Sequence, residues 1–262
     1  MLKTRILSAL VLAPPALLAA WAGGYFFALL VALAAALMCW EWHRIACGGF
    51  GTAGRLAAVC SVVAALWSVH DPASALVMVA VATLLSFLLV CPVHVRRLWS
   101  GLGALYVGLP VVALVWLRGD PDHGAATIGW LLLVVWATDS GAYAAGRTLG
   151  GPLLMPKVSP KKTWSGLIGG MVSAALVGAG VAWAVDAPAV AAVAAASAVL
   201  AVVAQIGDLF ESWVKRRWGV KDSSAIIPGH GGVLDRVDGL LTAALAVAAL
   251  ALLTGRVPLG WS

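Results

Sequence analysis

Four aspartates stand at the edges of long apolar stretches: Asp139, Asp208, Asp235 and Asp238. An ionisable side chain at membrane depth is costly and usually functional. Asp208 follows directly on an apolar run and is trailed by Glu211, Ser212 and Lys215 at +3, +4 and +7, one face of a helix. Asp235 and Asp238 are three apart where the last apolar run begins, so a helix aims both the same way. Carboxylates at helix ends on one side of a membrane suit a hard cation, and Mg²⁺ takes a few of them and fills its shell with water and substrate phosphates. The competing reading is helix capping and ion pairing with nearby arginines.

The basic residues pose the same choice. Alone, Lys215-Arg216-Arg217 reads as a topology determinant or a contact for anionic lipid. Two other segments shift the balance. Ser159-Pro160-Lys161-Lys162-Thr163 and Pro228-Gly229-His230-Gly231-Gly232 combine cations, hydroxyls and glycines whose backbone N–H groups can approach an anion. Carboxylate-bound metal beside clustered lysines is the chemistry of phosphate transfer. His230, alone, would be a loop histidine bonded to backbone; between glycines it becomes a candidate substrate contact.

These residues have to be positioned by helices. Of the 262 residues, 62% are AVILMFWYC and 11% DEKR, and the mean hydropathy is +0.99. Such a chain is not a soluble enzyme, a disordered segment or a coiled coil. Apolar runs fall near 6–22, 24–40, 56–69, 73–91, 101–117, 125–146, 166–185, 188–206 and 239–254, an expectation of nine membrane spans. Lys3 and Arg5 before an apolar stretch imitate a signal peptide, but no cleavage site follows, so this is read as a first span. With the N-terminus cytoplasmic, fifteen of the 17 lysines and arginines fall on the inner side and only Arg118 and Arg256 on the outer. The expected organisation is one membrane unit: helices over 1–120, then a catalytic region over 121–262 with cytoplasmic loops at 139–165 and 207–238. Cys39, Cys47, Cys60 and Cys91 form no C-x-x-C pair and read as small buried hydrophobes. The net charge of +6 is spread as topology demands and does not imply nucleic acid.

The second loop resembles a known signature. Ser212-Trp-Val-Lys215-Arg216, Lys221-Asp222, Ser224, Ile227-Pro228, His230-Gly231-Gly232 and Asp235-Arg236-Val-Asp238 are similar to the motif of the phosphatidate cytidylyltransferases, the CDP-diacylglycerol synthases. Asp139-Ser-Gly-Ala-Tyr143 with Ser159-Pro-Lys-Lys162-Thr-Trp164 resembles the family's other recurring segment. Ser165 departs from it, since many members carry an acidic or amide side chain there.

The resemblance implies a multi-pass bacterial inner-membrane enzyme that joins CTP and phosphatidic acid into CDP-diacylglycerol and pyrophosphate. It further implies Mg²⁺, allows a second cation such as K⁺, and is compatible with a homodimer. On that reading Asp139, Asp208, Asp235 and Asp238 hold metal. Asp208, Lys215, Lys221, Asp235 and Asp238 form the catalytic set. Ser159, Lys161, Lys162, Thr163, Ser212, Arg216, Asp222, His230, Gly231, Gly232 and Arg236 bind substrate. The rival classes are a CTP-dependent polyprenol or lipid kinase, a cation-coupled transporter, and a non-enzymatic scaffold for anionic lipid. One-sided charge and the lack of an internal repeat weigh against the transporter.

Overall fold

The computed structural model describes residues 2–89 and 94–261, with backbone only for 2–10, 12, 94 and 95. Among them are nine α-helices: α1 (Leu2–Ala22), α2 (Gly24–Ala46), α3 (Thr52–Trp67), α4 (Pro72–Leu89), α5 (His94–Arg118), α6 (Gly124–Leu149), α7 (Trp164–Ala184), α8 (Val190–Arg217) and α9 (Leu234–Thr254). A small hairpin, β1 (Leu153–Met155) and β2 (Ser159–Thr163), lies between α6 and α7. Each expected apolar run is a helix. Seven helical segments are long and apolar enough to cross a membrane, whereas the apolar stretches at Ala13–Ala22 and Thr52–Trp67 are shorter. The protein is thus a multi-pass helical membrane protein. Cys91 lies outside the described residues, and Cys39, Cys47 and Cys60 are unbridged.

The helices overrun the hydropathy boundaries. α2 continues through Glu41 to Ala46, α6 continues through Asp139 to Leu149, and α8 carries Asp208 onward to Arg217. Much of what reads as loop at 139–149 and 207–217 is therefore helix. The reason is physical: where water is scarce, backbone N–H and C=O groups must find partners within the segment. A helix then continues past polar side chains until residues such as Gly150-Gly151-Pro152 stop it. Pro14 and Pro15 likewise sit inside α1 without ending it. The hairpin is the departure from an all-helical chain; Leu153 pairs with Thr163 and Met155 with Ser159, and the unequal spacing marks a bulge.

The chain forms two compact units, one of Met1–Gly119 with Val214–Val237, the other of Asp120–Trp213 with Asp238–Ser262.

In the first unit, Ala64, Ala75, Val79 and Val112 from α3, α4 and α5 form a buried cluster. At one end of the helices the Arg118 guanidinium donates to the carbonyls of Ala20 and Trp21, and the Tyr25 hydroxyl meets the His70 ring. At the other end Arg96 donates to the Cys47 carbonyl at 3.0 Å, and Ser86 to that of Ala53 at 3.3 Å.

In the second unit, α6 and α7 pack through small residues. A Cβ on Gly141 would lie 2.8 Å from the Gly169 carbonyl oxygen, closer than real contacts allow. Trp130, fully buried on α6, donates its indole N–H to Ser197 on α8 at 3.0 Å. Large apolar side chains point outward, Leu253 at 85% and Trp183 at 77% exposure. Such exposure is a liability in water and ordinary contact in lipid.

Candidate functional site

In the second unit, α6, α8, α9 and the hairpin bring charges together. A Cβ on Gly207 would stand 2.7 Å from the Asp238 carbonyl oxygen and 2.2 Å from Thr242 Oγ1. Only glycine permits this approach of α8 to α9, and the next residue on α8 is Asp208. The Lys162 ammonium, on β2, sits 2.6 Å from Asp208 Oδ2, and Ser212 Oγ donates to Asp208 Oδ1 at 3.2 Å. Asp238 has the carboxylates of Asp208 and Asp139 and the Lys162 ammonium as its charged neighbours. Asp139, Lys162, Asp208 and Asp238, from four separate elements, thus share one neighbourhood.

Among the described residues no three acidic, histidine or cysteine side chains converge closely enough to hold an ion by themselves. The oxygen-only donors of Asp208, Asp238 and Asp139 still fit Mg²⁺, which keeps several waters and needs one or two carboxylates plus phosphate oxygens. The ammonium already seated on Asp208 shows that a cation suits the spot.

Asp235 is built differently. In the first unit its Oδ1 accepts from the Lys215 ammonium, while Oδ2 accepts from Ser223 N at 2.8 Å, Ser223 Oγ at 2.8 Å and Gly232 N at 2.7 Å. Four donors occupy both oxygens, and the side chains of Lys215 and Asp235 are only 11% and 4% exposed. Asp235, one of the expected metal ligands, thus pairs with Lys215 of the expected catalytic set and ties it to the loop. A charge this buried is tolerable because it is paired and hydrogen-bonded throughout.

In the Gly231-Gly232 loop the backbone amides turn to acceptors of the chain itself. Gly231 N donates to the Ile227 carbonyl at 3.2 Å, Gly232 N to Asp235, and the next two amides to Glu41. Gly232 N and the two amides after it thus serve the protein's own carboxylates. A Cβ on Gly232 would fall 2.0 Å from Ser223 Oγ and 2.2 Å from Glu41 Oε1, so no side chain fits there.

Glu41 escaped the sequence reading, which took it as the end of a span. It is fully buried on α2; Oε1 accepts from Ser224 Oγ at 2.6 Å and Val233 N at 2.9 Å, and Oε2 from Leu234 N at 2.7 Å. The available signal was a lone carboxylate within the apolar-aromatic run Cys39-Trp40-Glu41-Trp42.

The same loop encloses a cavity of about 470 Å³, lined by Lys221, Asp222, Ser224, Ile227, His230, Gly231 and Arg236 among others. That volume lies within the usual range for small-molecule sites. Four of the expected substrate residues, Asp222, His230, Gly231 and Arg236, therefore line it together with Lys221 of the expected catalytic set. His230 Nδ1 is buried without a hydrogen-bond partner.

The remaining expected residues divide. Lys161 is exposed on β2, and Ser159 is its paired first residue. Thr163 is the N-cap of α7, accepting from Gly166 N at 3.1 Å. Ser165 bonds to Thr163 Oγ1 at 2.9 Å and donates to the Gly150 carbonyl, latching the hairpin to the end of α6. Arg216 is exposed and donates to the Val220 carbonyl at 3.3 Å.

The model of the cytidylyltransferase family matches residues 3–254. The chain is 42% identical, over 93% of its length and 90% of the relative's, to a phosphatidate cytidylyltransferase of Brucella suis. It is 37% identical to one of Pseudomonas aeruginosa, over 95% and 97% of the two chains. One of Bacillus subtilis is 38% identical over 53% of this chain and 52% of its own.

Proposed function

The chain belongs to the cytidylyltransferase family, and from that premise we propose that it transfers CMP from CTP to phosphatidic acid, giving CDP-diacylglycerol and pyrophosphate for phospholipid synthesis. It is a nucleotidyltransferase. The observation that carries the chemistry is the Asp139, Lys162, Asp208 and Asp238 neighbourhood at polar ends of apolar helices.

A phosphate oxygen of the lipid attacks the α-phosphorus of CTP; the new P–O bond forms as the bond to the β-phosphate oxygen breaks, and pyrophosphate leaves with that electron pair. The nucleophile is already anionic, so no serine, histidine and aspartate relay is required. The task of the protein is to bring two polyanions together. Asp208 and Asp238, with Asp139, would hold Mg²⁺, and the ion would supply positive charge against the pyrophosphate. Lys162 and Lys161 bind phosphate beside them. In the first unit Lys221, Arg236 and His230, lining the cavity, bind the nucleotide, and Asp222 and Ser224 fix its orientation. Asp235 and Lys215 serve by holding this loop in shape.

The nine helices all cross, with the N-terminus and the polar loops cytoplasmic. Within the first unit this reading is supported by end-to-end contacts: residues expected outside (Tyr25 with His70, Arg118 with Ala20) meet one another, as do those expected inside (Arg96 with Cys47, Ser86 with Ala53). The location is a bacterial inner membrane, where acyl chains enter laterally from the bilayer and CTP from the cytoplasm. Second copies of the chain and a K⁺ ion are compatible additions.

The test uses purified protein, phosphatidate in detergent, Mg²⁺ and CTP labelled at either the α- or the γ-phosphate. Cytidylyl transfer puts the α-label into lipid; γ-label in lipid would instead mark a kinase, and ion flux in proteoliposomes without CTP turnover a transporter.

A further inference from the structure

Glu41 lies outside the cavity lining, yet it holds the segment that forms it. Its carboxylate takes Ser224 Oγ from one end of that segment and Val233 N and Leu234 N from the other. Ile227, His230 and Gly231, between those ends, line the cavity, and Ser224 itself is part of the wall. We propose that Glu41 is a positioning residue for nucleotide binding: its carboxylate clasps the two ends of the Ser224–Leu234 segment and so sets the shape of the cavity.

Capping of α9 alone does not account for the arrangement. A capping carboxylate needs the amides that begin the helix, here Val233 and Leu234, and gains nothing from Ser224. The Ser224 bond ties a cavity residue to the same oxygen that receives Val233. The clasp is also tightly filled, since any side chain at 232 would meet Glu41 Oε1 at 2.2 Å. A fully buried carboxylate in an apolar helix is costly unless its donors compensate, and it finds these donors 183 to 193 residues further along the chain.

The inference rests on the reading that the cavity takes CTP. Its test measures initial rates of α-label transfer against CTP and, separately, phosphatidate, for the wild type, Glu41→Gln, Glu41→Ala and Ser224→Ala. Glu41→Ala is expected to raise the KM for CTP about tenfold or more, as two backbone amides and a hydroxyl lose their acceptor. Glu41→Gln should raise it about threefold, because one amide oxygen remains while the NH₂ group faces a donor. The KM for phosphatidate should stay within about twofold in each. A fall in kcat with unchanged KM for CTP, or equal rises in both KM values, overturns the proposal. If Glu41→Ala cannot be purified, unchanged KM for CTP in both Glu41→Gln and Ser224→Ala overturns it. A wild-type protein that labels no lipid refutes the underlying function instead, which keeps the two failures apart.

Discussion

The two groups of carboxylates in this chain are built on opposite principles. In the first unit Glu41 and Asp235 receive seven donors between them: three backbone amides and one serine amide-hydroxyl pair among neutral groups, with a second serine hydroxyl and one ammonium completing the set. In the second unit Asp238 has two other carboxylates beside it, with the Lys162 ammonium among them. Saturated carboxylates hold a chain in place and have no reason to release it. Carboxylates set against one another favour the arrival of a cation, because like charges at close range are unfavourable until one is neutralised. The same functional group thus stands in two opposed surroundings within one chain.

That comparison can be broken most forcefully at Asp238. Replacing it with Asn should cut turnover by on the order of 10²–10³-fold with folding and insertion intact, measured as α-label in lipid. Near-normal activity would remove it from the proposed metal site. Asp235→Asn should behave in the opposite sense, costing about 3–5 kcal/mol of stability because the buried Lys215 ammonium loses its charged partner. Thermal unfolding in detergent checks this; an unchanged midpoint would mean the pair is dispensable. Gly232→Ala should cost about 1–3 kcal/mol by forcing apart Ser223 and Glu41, read from the same melting curves.

A sharper version uses the ion itself. Chelation should stop turnover and Mg²⁺ should restore it, and Asp208→Asn should raise the Mg²⁺ concentration for half-maximal rate about tenfold or more. Asp235→Asn protein that survives purification should keep the wild-type Mg²⁺ dependence. The smallest effect belongs to Thr163→Ala, which removes the N-cap of α7 and should cost about 1 kcal/mol, seen as a small fall in melting temperature.

The helices were readable because a run of apolar residues has few alternatives in a membrane. Their ends were not, because hydropathy stops at the first charge whereas the backbone stops where glycine and proline allow it. Glu41 and Asp208 show this: both stand at the end of an apolar run and both sit within a helix. The hairpin was hidden since Ser159-Pro160-Lys161-Lys162-Thr163 has no alternation of apolar and polar residues. The Gly232 amide reaches a carboxylate of the chain itself, Asp235, three positions on. Sequence spacing cannot reveal that the next two amides meet a glutamate nearly 200 positions away, as contact over that separation is set by how whole helices pack. Asp208 and Asp238 were legible by type, but Gly207 and its missing Cβ are what bring their helices close.

The grouping of Val214–Val237 with Met1–Gly119 bears on how such enzymes can be recombined. A hybrid joining the first 120 positions of one homologue to the remainder of another looks, on hydropathy, like a clean exchange of anchor and engine. It would instead pair the 224–234 segment of one parent with the residue-41 carboxylate of the other. Chimeras that carry residue 41 and positions 223–234 from the same parent should outperform those that split them.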